Sequence, residues 1–175
     1  MKNITTKQII FFGLFIALEV ILTRFLSIQT PIVRIGFTFV PIAASAIMFG
    51  PMFAGICAAL ADILGMILFP SGPFFPGFTA SAFLTGAVYG FVLYGKQISI
   101  YRITIAALIV SIFINLGLDT IWLQILTGQG VLALLPARLI KCAIMIPLQI
   151  LLLEIMIRRL PFLERVRGES KLGHI

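Results

Sequence analysis

Charge is scarce in this chain. Of 175 residues, 13 are Lys or Arg, 6 are Asp or Glu and 1 is His, so the charged share is 11%. Set against 61% hydrophobic residues and a mean hydropathy of +1.16, so few charges cannot cover a water-soluble surface. Lipid must be the solvent for most of the chain. The two cysteines, Cys57 and Cys142, lie in apolar runs without metal-ligand spacing, which reads as packing rather than a disulfide or a metal site. Also missing are a G-x-x-x-x-G-K-[ST] phosphate loop, an H-E-x-x-H pair and a G-x-S-x-G elbow, and the lone histidine, His174, stands in the tail. No catalytic constellation, resident metal or cofactor is expected. Nor are there two matching halves with broken helices, the mark of many secondary transporters. The chain reads as one that binds something and does not by itself drive its movement.

What is present is hydrophobic helix. A membrane-spanning helix needs about 20 mostly apolar residues, and candidate runs occur near Ile9–Phe25, Phe39–Phe49, Phe53–Phe69, Phe78–Leu93, Ile103–Leu126 and Leu132–Ile157, the second of them short. Runs such as IAALIVSIFINLGL do not alternate, which excludes a closed barrel. The first run follows Lys2 and Lys7 like a signal peptide but has no small-residue cleavage site, so it is read as a retained helix. The expected fold is an all-α integral membrane protein, a single bundle of six transmembrane helices forming one domain over residues 1–175, with a basic tail at 158–175.

The net charge of +7 would suggest nucleic acid in a soluble protein; in lipid it sets orientation. With six spans, Lys2, Lys7, Lys96, Arg102, Arg158, Arg159, Arg165, Arg167 and Lys171 share one side with both termini, and the positive-inside rule makes that side cytoplasmic. Arg24, Arg34, Arg138 and Lys141 fall at or near the opposite face, where they are either snorkelling anchors or an outward-facing site for an anion. Three connections face outward: Leu26–Gly36, Ser71–Gly77 and Thr127–Val131. The second lies in FPSGPFFPGF, a rigid, aromatic segment where an ordinary loop would be polar.

An aromatic loop beside a cationic one suits a flat ring with a negative tail. Phe74 and Phe75 would stack, while Arg24, Arg34 or Arg138 would take carboxylates, for which arginine has the bidentate geometry. Asp119 and Trp122, three residues apart, share a side of helix 5; they would read an amino-substituted heteroaromatic ring, or Asp119 would pair with Arg138. Asp62 reads first as a structural residue, hydrogen-bonded across a close helix contact, and Glu19 and Glu154 have no evident role. Small residues at Gly13-x-x-x-Ala17, at Ala82-x-x-x-Gly86-x-x-x-Gly90 and at Gly55, Ala58 and Ala59 mark close helix contacts.

The stretch GPMFAGICAALADILGMILFPSGPFFPGFTASAFLTGAVYG resembles the central region of the vitamin-binding S components of energy-coupling factor transporters. The preceding LTRFLSIQTPIVRIGFTFVPIAASAIMFGP is similar to the folate-specific branch of that family. The resemblance implies a multi-pass subunit of the bacterial plasma membrane that captures folate at the outer face and topples within the bilayer. Its partners would be a transmembrane coupling protein and two ATPase subunits, on which hydrolysis would occur. Helix 1 of many members carries Ala-x-x-x-Ala for docking on the coupling protein; here the positions are Gly13 and Ala17. Folate, with its amino-oxo pterin and dicarboxylate tail, would meet Phe25, Phe75 and Trp122 at its rings, Asp119 or Asp62 at its amino edge, and Arg24, Arg34 and Arg138 at its acceptors and charges. Competing readings are an S component for a hydroxymethylpyrimidine-like precursor or another vitamin, and a small membrane enzyme or structural assembly subunit.

Overall fold

The computed structural model describes residues 6–29, 34–70, 73–128 and 130–159. The side chain of Arg34 and, from residue 160 on, the basic tail lie outside the described residues. The helices are α1 (Thr6–Arg24), α2 (Phe39–Phe49), α3 (Pro51–Leu68), α4 (Pro76–Leu93), α5 (Ile100–Thr127) and α6 (Val131–Arg159). Four of them, α3 to α6, are long and apolar enough to cross a membrane, and α2 is a shorter apolar helix.

Prolines and glycines set the boundaries. Pro51 and Pro76 open α3 and α4 in the first turn, where the missing N–H is no loss. Both helices therefore begin two residues before their uninterrupted apolar runs. Gly50, at φ +91°, makes the turn between α2 and α3, and Gly128, at φ +70°, ends α5 in the left-handed conformation that closes many helices.

The segment after α1, expected to be a loop, forms an antiparallel hairpin: β1 (Ser27–Gln29) pairs with β2 (Arg34–Gly36), with Ser27 opposite Gly36 and Gln29 opposite Arg34. Strands of three residues are too short for alternation to reveal. The Ser27 hydroxyl bonds back to the Thr23 carbonyl, and Thr23 Oγ1 meets Thr38 Oγ1 at 3.0 Å, so the hairpin is tied at both ends.

Packing is closest between α3 and α4. A Cβ on Gly86 would stand 2.5 Å from the Ala54 carbonyl, and one on Gly90 2.2 Å from Pro51 Cα. Only glycine lets the two backbones approach so nearly. The short α2 is enclosed by its neighbours, with Phe39 and every residue from Pro41 to Met48 buried. Its 11 residues extend only about 16 Å, so it does not fill the depth of the bundle. The room beyond its N-terminus becomes the cavity described next, and Gly36 and Thr38 border it on the hairpin side. Ile10, Leu14, Phe91, Tyr101, Phe113 and Leu132 point outward, as a lipid-facing surface requires.

Candidate ligand-binding cavity

A cavity of about 750 Å³ occupies this space, within the range of roughly 300–1,000 Å³ that small-molecule sites usually have. Each wall follows helical spacing. Ala58, Ala61, Asp62 and Met66 come from α3; Phe78, Ser81, Ala82 and Thr85 from α4; Arg138, Lys141, Met145 and Gln149 from α6. Pro73, Phe74 and Phe75 border it just before α4 begins. Phe75, extended at φ −134° and ψ 119°, precedes Pro76 and accepts the Phe78 N–H at 3.1 Å. This fixes the ring of Phe75 edge-on to Phe78, with centroids 6.1 Å apart.

The polar groups lie deeper. Arg138 and Lys141 are 7 and 10 residues into α6, or about 10 and 15 Å along its axis. They are only 4% and 9% exposed, so they are not head-group anchors. Both are held by one residue of α5: Arg138 Nη1 donates to the Asn115 carbonyl at 2.9 Å, and Lys141 Nζ donates to Asn115 Oδ1 at 3.2 Å. That carbonyl belongs to a π-helical stretch, Val110–Leu118, whose five-residue spacing is repeated by the Asn115 Nδ2 bond to the Val110 carbonyl at 3.2 Å. Wide turns of this kind are rare and often accompany functional sites. Deeper still, Ser111 donates to Gln149 Oε1 at 3.3 Å. On the other walls, Asp62 Oδ2 accepts from Thr79 Oγ1 at 2.8 Å across the α3–α4 contact, and Asp119 lies within electrostatic reach of Arg138.

Of the residues singled out in the sequence, Asp62, Phe74, Phe75, Asp119, Arg138 and Lys141 converge on the cavity. Trp122 does not belong to its wall. The i, i+3 spacing does put Trp122 on the side of Asp119, but the start of α4 covers the indole. Phe75 packs on it at 5.7 Å, Gly77 leaves it room, and its Nε1 donates to Ser81 Oγ at 3.2 Å. Phe25 is 64% exposed, edge-on to Phe69 at 5.1 Å, and also outside the wall. Arg24 lies against α3, its Nε 2.9 Å from where a Cβ of Gly65 would be. The Arg34 backbone belongs to β2, beside the cavity-lining Gly36. Gly13 and Ala17 sit on the exposed face of α1, with nothing within 4 Å of a Cβ at Gly13.

The sequence reading gave no ligand role to Asn115, Gln149 or Glu19, all of which line the cavity, whereas Lys141 was one of its four candidate anion-site residues. A usable signal existed for one of them: Gln149 falls eleven residues after Arg138, on the same helical face. The cavity thus joins an aromatic entrance to a buried zone holding both signs of charge. Such a zone recognises a flat ligand that carries donors and acceptors on its edges.

Residues 7–157 match the family model described as ECF transporter, substrate-specific component. The chain is 48% identical over 165 residues to the folate transporter FolT of Clostridium novyi (strain NT), spanning 93% of this chain and 96% of that protein. It is 29% identical over 154 residues to the folate transporter FolT of Leuconostoc mesenteroides, spanning 85% and 83%. A solved structure, FolT bound with folic acid, superposes with a TM-score of 0.85 at 39% identity, covering 89% of this chain and 97% of that one. With its apolar helices, the chain is a multi-pass component of the cell membrane.

Proposed function

The chain belongs to the family of ECF transporter substrate-specific components, and from that membership we propose that it captures folate at the outer face of the membrane and delivers it inward as the binding subunit of an ATP-driven importer. The observation that carries the reading is the mixed-sign zone beneath an aromatic entrance. Two buried cations, Arg138 and Lys141, share a cavity with Asp62 and Asp119. The relatives named for folate transport, and the solved one holding folic acid, support the same ligand.

The pterin enters first. A glutamate tail with two carboxylates loses too much hydration to be drawn into the bundle, whereas a neutral pterin brings donors and acceptors that match the deep groups. In this arrangement Asp62 or Asp119 accepts from the 2-amino and N3–H edge. Arg138 and Lys141 donate to the oxo and ring-nitrogen acceptors. Phe74, Phe75 and Phe78 enclose the aromatic spacer, and the tail stays near the hairpin, with Arg34 on β2 and Arg24 at the end of α1 as its cations. Trp122 supports Phe75 from behind.

The whole chain acts as one six-helix binding domain with both termini cytoplasmic. Its exposed α1 face, with Gly13 and Ala17, serves as a contact for the coupling protein, and ATP hydrolysis takes place on two separate subunits. The test is titration of the purified protein with folic acid, following Trp122 fluorescence and calorimetry, with thiamine, riboflavin and hydroxymethylpyrimidine as controls. Tight binding confined to folic acid is expected. Heat of binding with hydroxymethylpyrimidine and none with folic acid would overturn the assignment of ligand.

A further inference from the structure

Glu19 is a buried carboxylic acid to which the folate reading gives no role. It stands on the inward face of α1, is 1% exposed and lines the cavity. Its Oε1 has no hydrogen-bond partner among the described residues. The turn that bears it is well fixed: Thr23 Oγ1 donates to the Glu19 carbonyl at 2.6 Å and meets Thr38 at 3.0 Å. The carboxyl is therefore held in place by its backbone while its own acceptor goes unused. A buried polar group in that condition lowers stability and calls for another explanation. An acceptor on the wall of a ligand cavity has one, since an arriving donor satisfies it.

The surroundings indicate which donor. Helix α1 packs on α2 and α3, whereas α6, with Arg138 and Lys141, packs on α5 and α2. Glu19 lies within electrostatic reach of Cys57 of α3, five residues before Asp62. It thus stands on the side of the cavity that α1 and α3 form, with Asp62 and with Arg24, and not on the helix that bears Arg138 and Lys141. We infer that Glu19 is a further ligand-binding residue that accepts a hydrogen bond from the amino-substituted edge of the ligand's ring. The inference rests on the folate reading. A carboxylate paired with the 2-amino group and N3–H of a pterin uses one amino hydrogen, and the second is left for Glu19.

The experiment compares wild type, Glu19→Gln and Glu19→Leu by calorimetry with folic acid and with its 2-desamino-2-methyl analogue, alongside the thermal midpoint of each ligand-free protein. Folic acid affinity falls by roughly 10- to 150-fold in Glu19→Leu, the range for losing a hydrogen bond to a charged group. Glu19→Gln, which keeps one acceptor oxygen, loses less. The analogue binds wild type and Glu19→Leu about equally, because the interaction is absent from both arms of the cycle. The ligand-free midpoint stays level or rises when the orphaned acceptor is removed. Unchanged folic acid affinity in Glu19→Leu overturns the inference. So does an equal loss for the analogue, or a loss accompanied by a lower ligand-free midpoint. A wild-type protein that binds neither compound overturns the folate reading itself, a failure visible before any variant is measured.

Discussion

Replacing Gly90 by alanine should drive α3 and α4 apart. The added Cβ would lie 2.2 Å from Pro51 Cα and 2.4 Å from Pro51 N, whereas ordinary contact begins near 3.4 Å. The helices must separate by about 1 Å or more at this point, because the atoms met are backbone and proline ring and no side chain can rotate away. Overpacking a well-filled contact costs about 1–3 kcal/mol, and the rigid partner puts this case at the upper end. For a chain of this size, 3 kcal/mol corresponds to a thermal midpoint lowered by roughly 6–12 °C. Since α3 carries Asp62 and α4 carries Phe78 and Ser81 to the cavity, folic acid affinity should fall as well. Thermal scans in detergent, with and without folic acid, measure both effects. Gly13→Ala is the control: a Cβ there meets nothing within 4 Å, so the midpoint should hold or rise. If Gly90→Ala melts within about 2 °C of wild type, less than 1 kcal/mol, the proposed close contact is not what holds these helices.

Three substitutions probe the cavity itself. Phe25→Ala should leave folic acid affinity unchanged, since this exposed ring touches Phe69 outside the wall; a tenfold loss, about 1.4 kcal/mol, would contradict that placement. Trp122→Phe, read by calorimetry, should keep affinity within about threefold, because the indole only supports Phe75 and Ser81. Arg138→Gln removes a buried cation from the deep zone and should weaken folic acid binding by about 10- to 150-fold, the range for a hydrogen bond to a charged group. Retained affinity in Arg138→Gln, with the protein still folded, would refute the role of α6 in binding.

The helical fold was legible because composition alone identifies the solvent, and lipid permits few architectures. Proline and glycine marked the breaks at Pro51, Pro76 and Gly128 to within a few residues. What the sequence hid was depth. Arg138 and Lys141 read as outward-facing because they fall in the first turns of the run Leu132–Ile157, yet at 7 and 10 residues into α6 both are buried against α5. The partner that makes this burial possible, the Asn115 carbonyl, is a backbone group freed by a π-helical stretch that no residue pattern announced. Trp122 was placed on the correct face of its helix, but which neighbour covers that face depends on a crossing between α4 and α5. Spacing within one helix says nothing of such crossings.

The bonding of Arg138 and Lys141 to Asn115 also bears on how the chain enters its membrane. On translocon scales, one arginine or lysine near the centre of a helix opposes insertion by about 2.5–3.5 kcal/mol, and α6 carries both, with Pro136 and Pro147 besides. Its apolar residues must overcome that opposition if it inserts alone. Delivered as a hairpin with α5, across the tight turn at Gly128, it brings its two cations to acceptors already present on the neighbouring helix. The two cations of α6 thereby favour an order of birth in which α5 and α6 leave the translocon together.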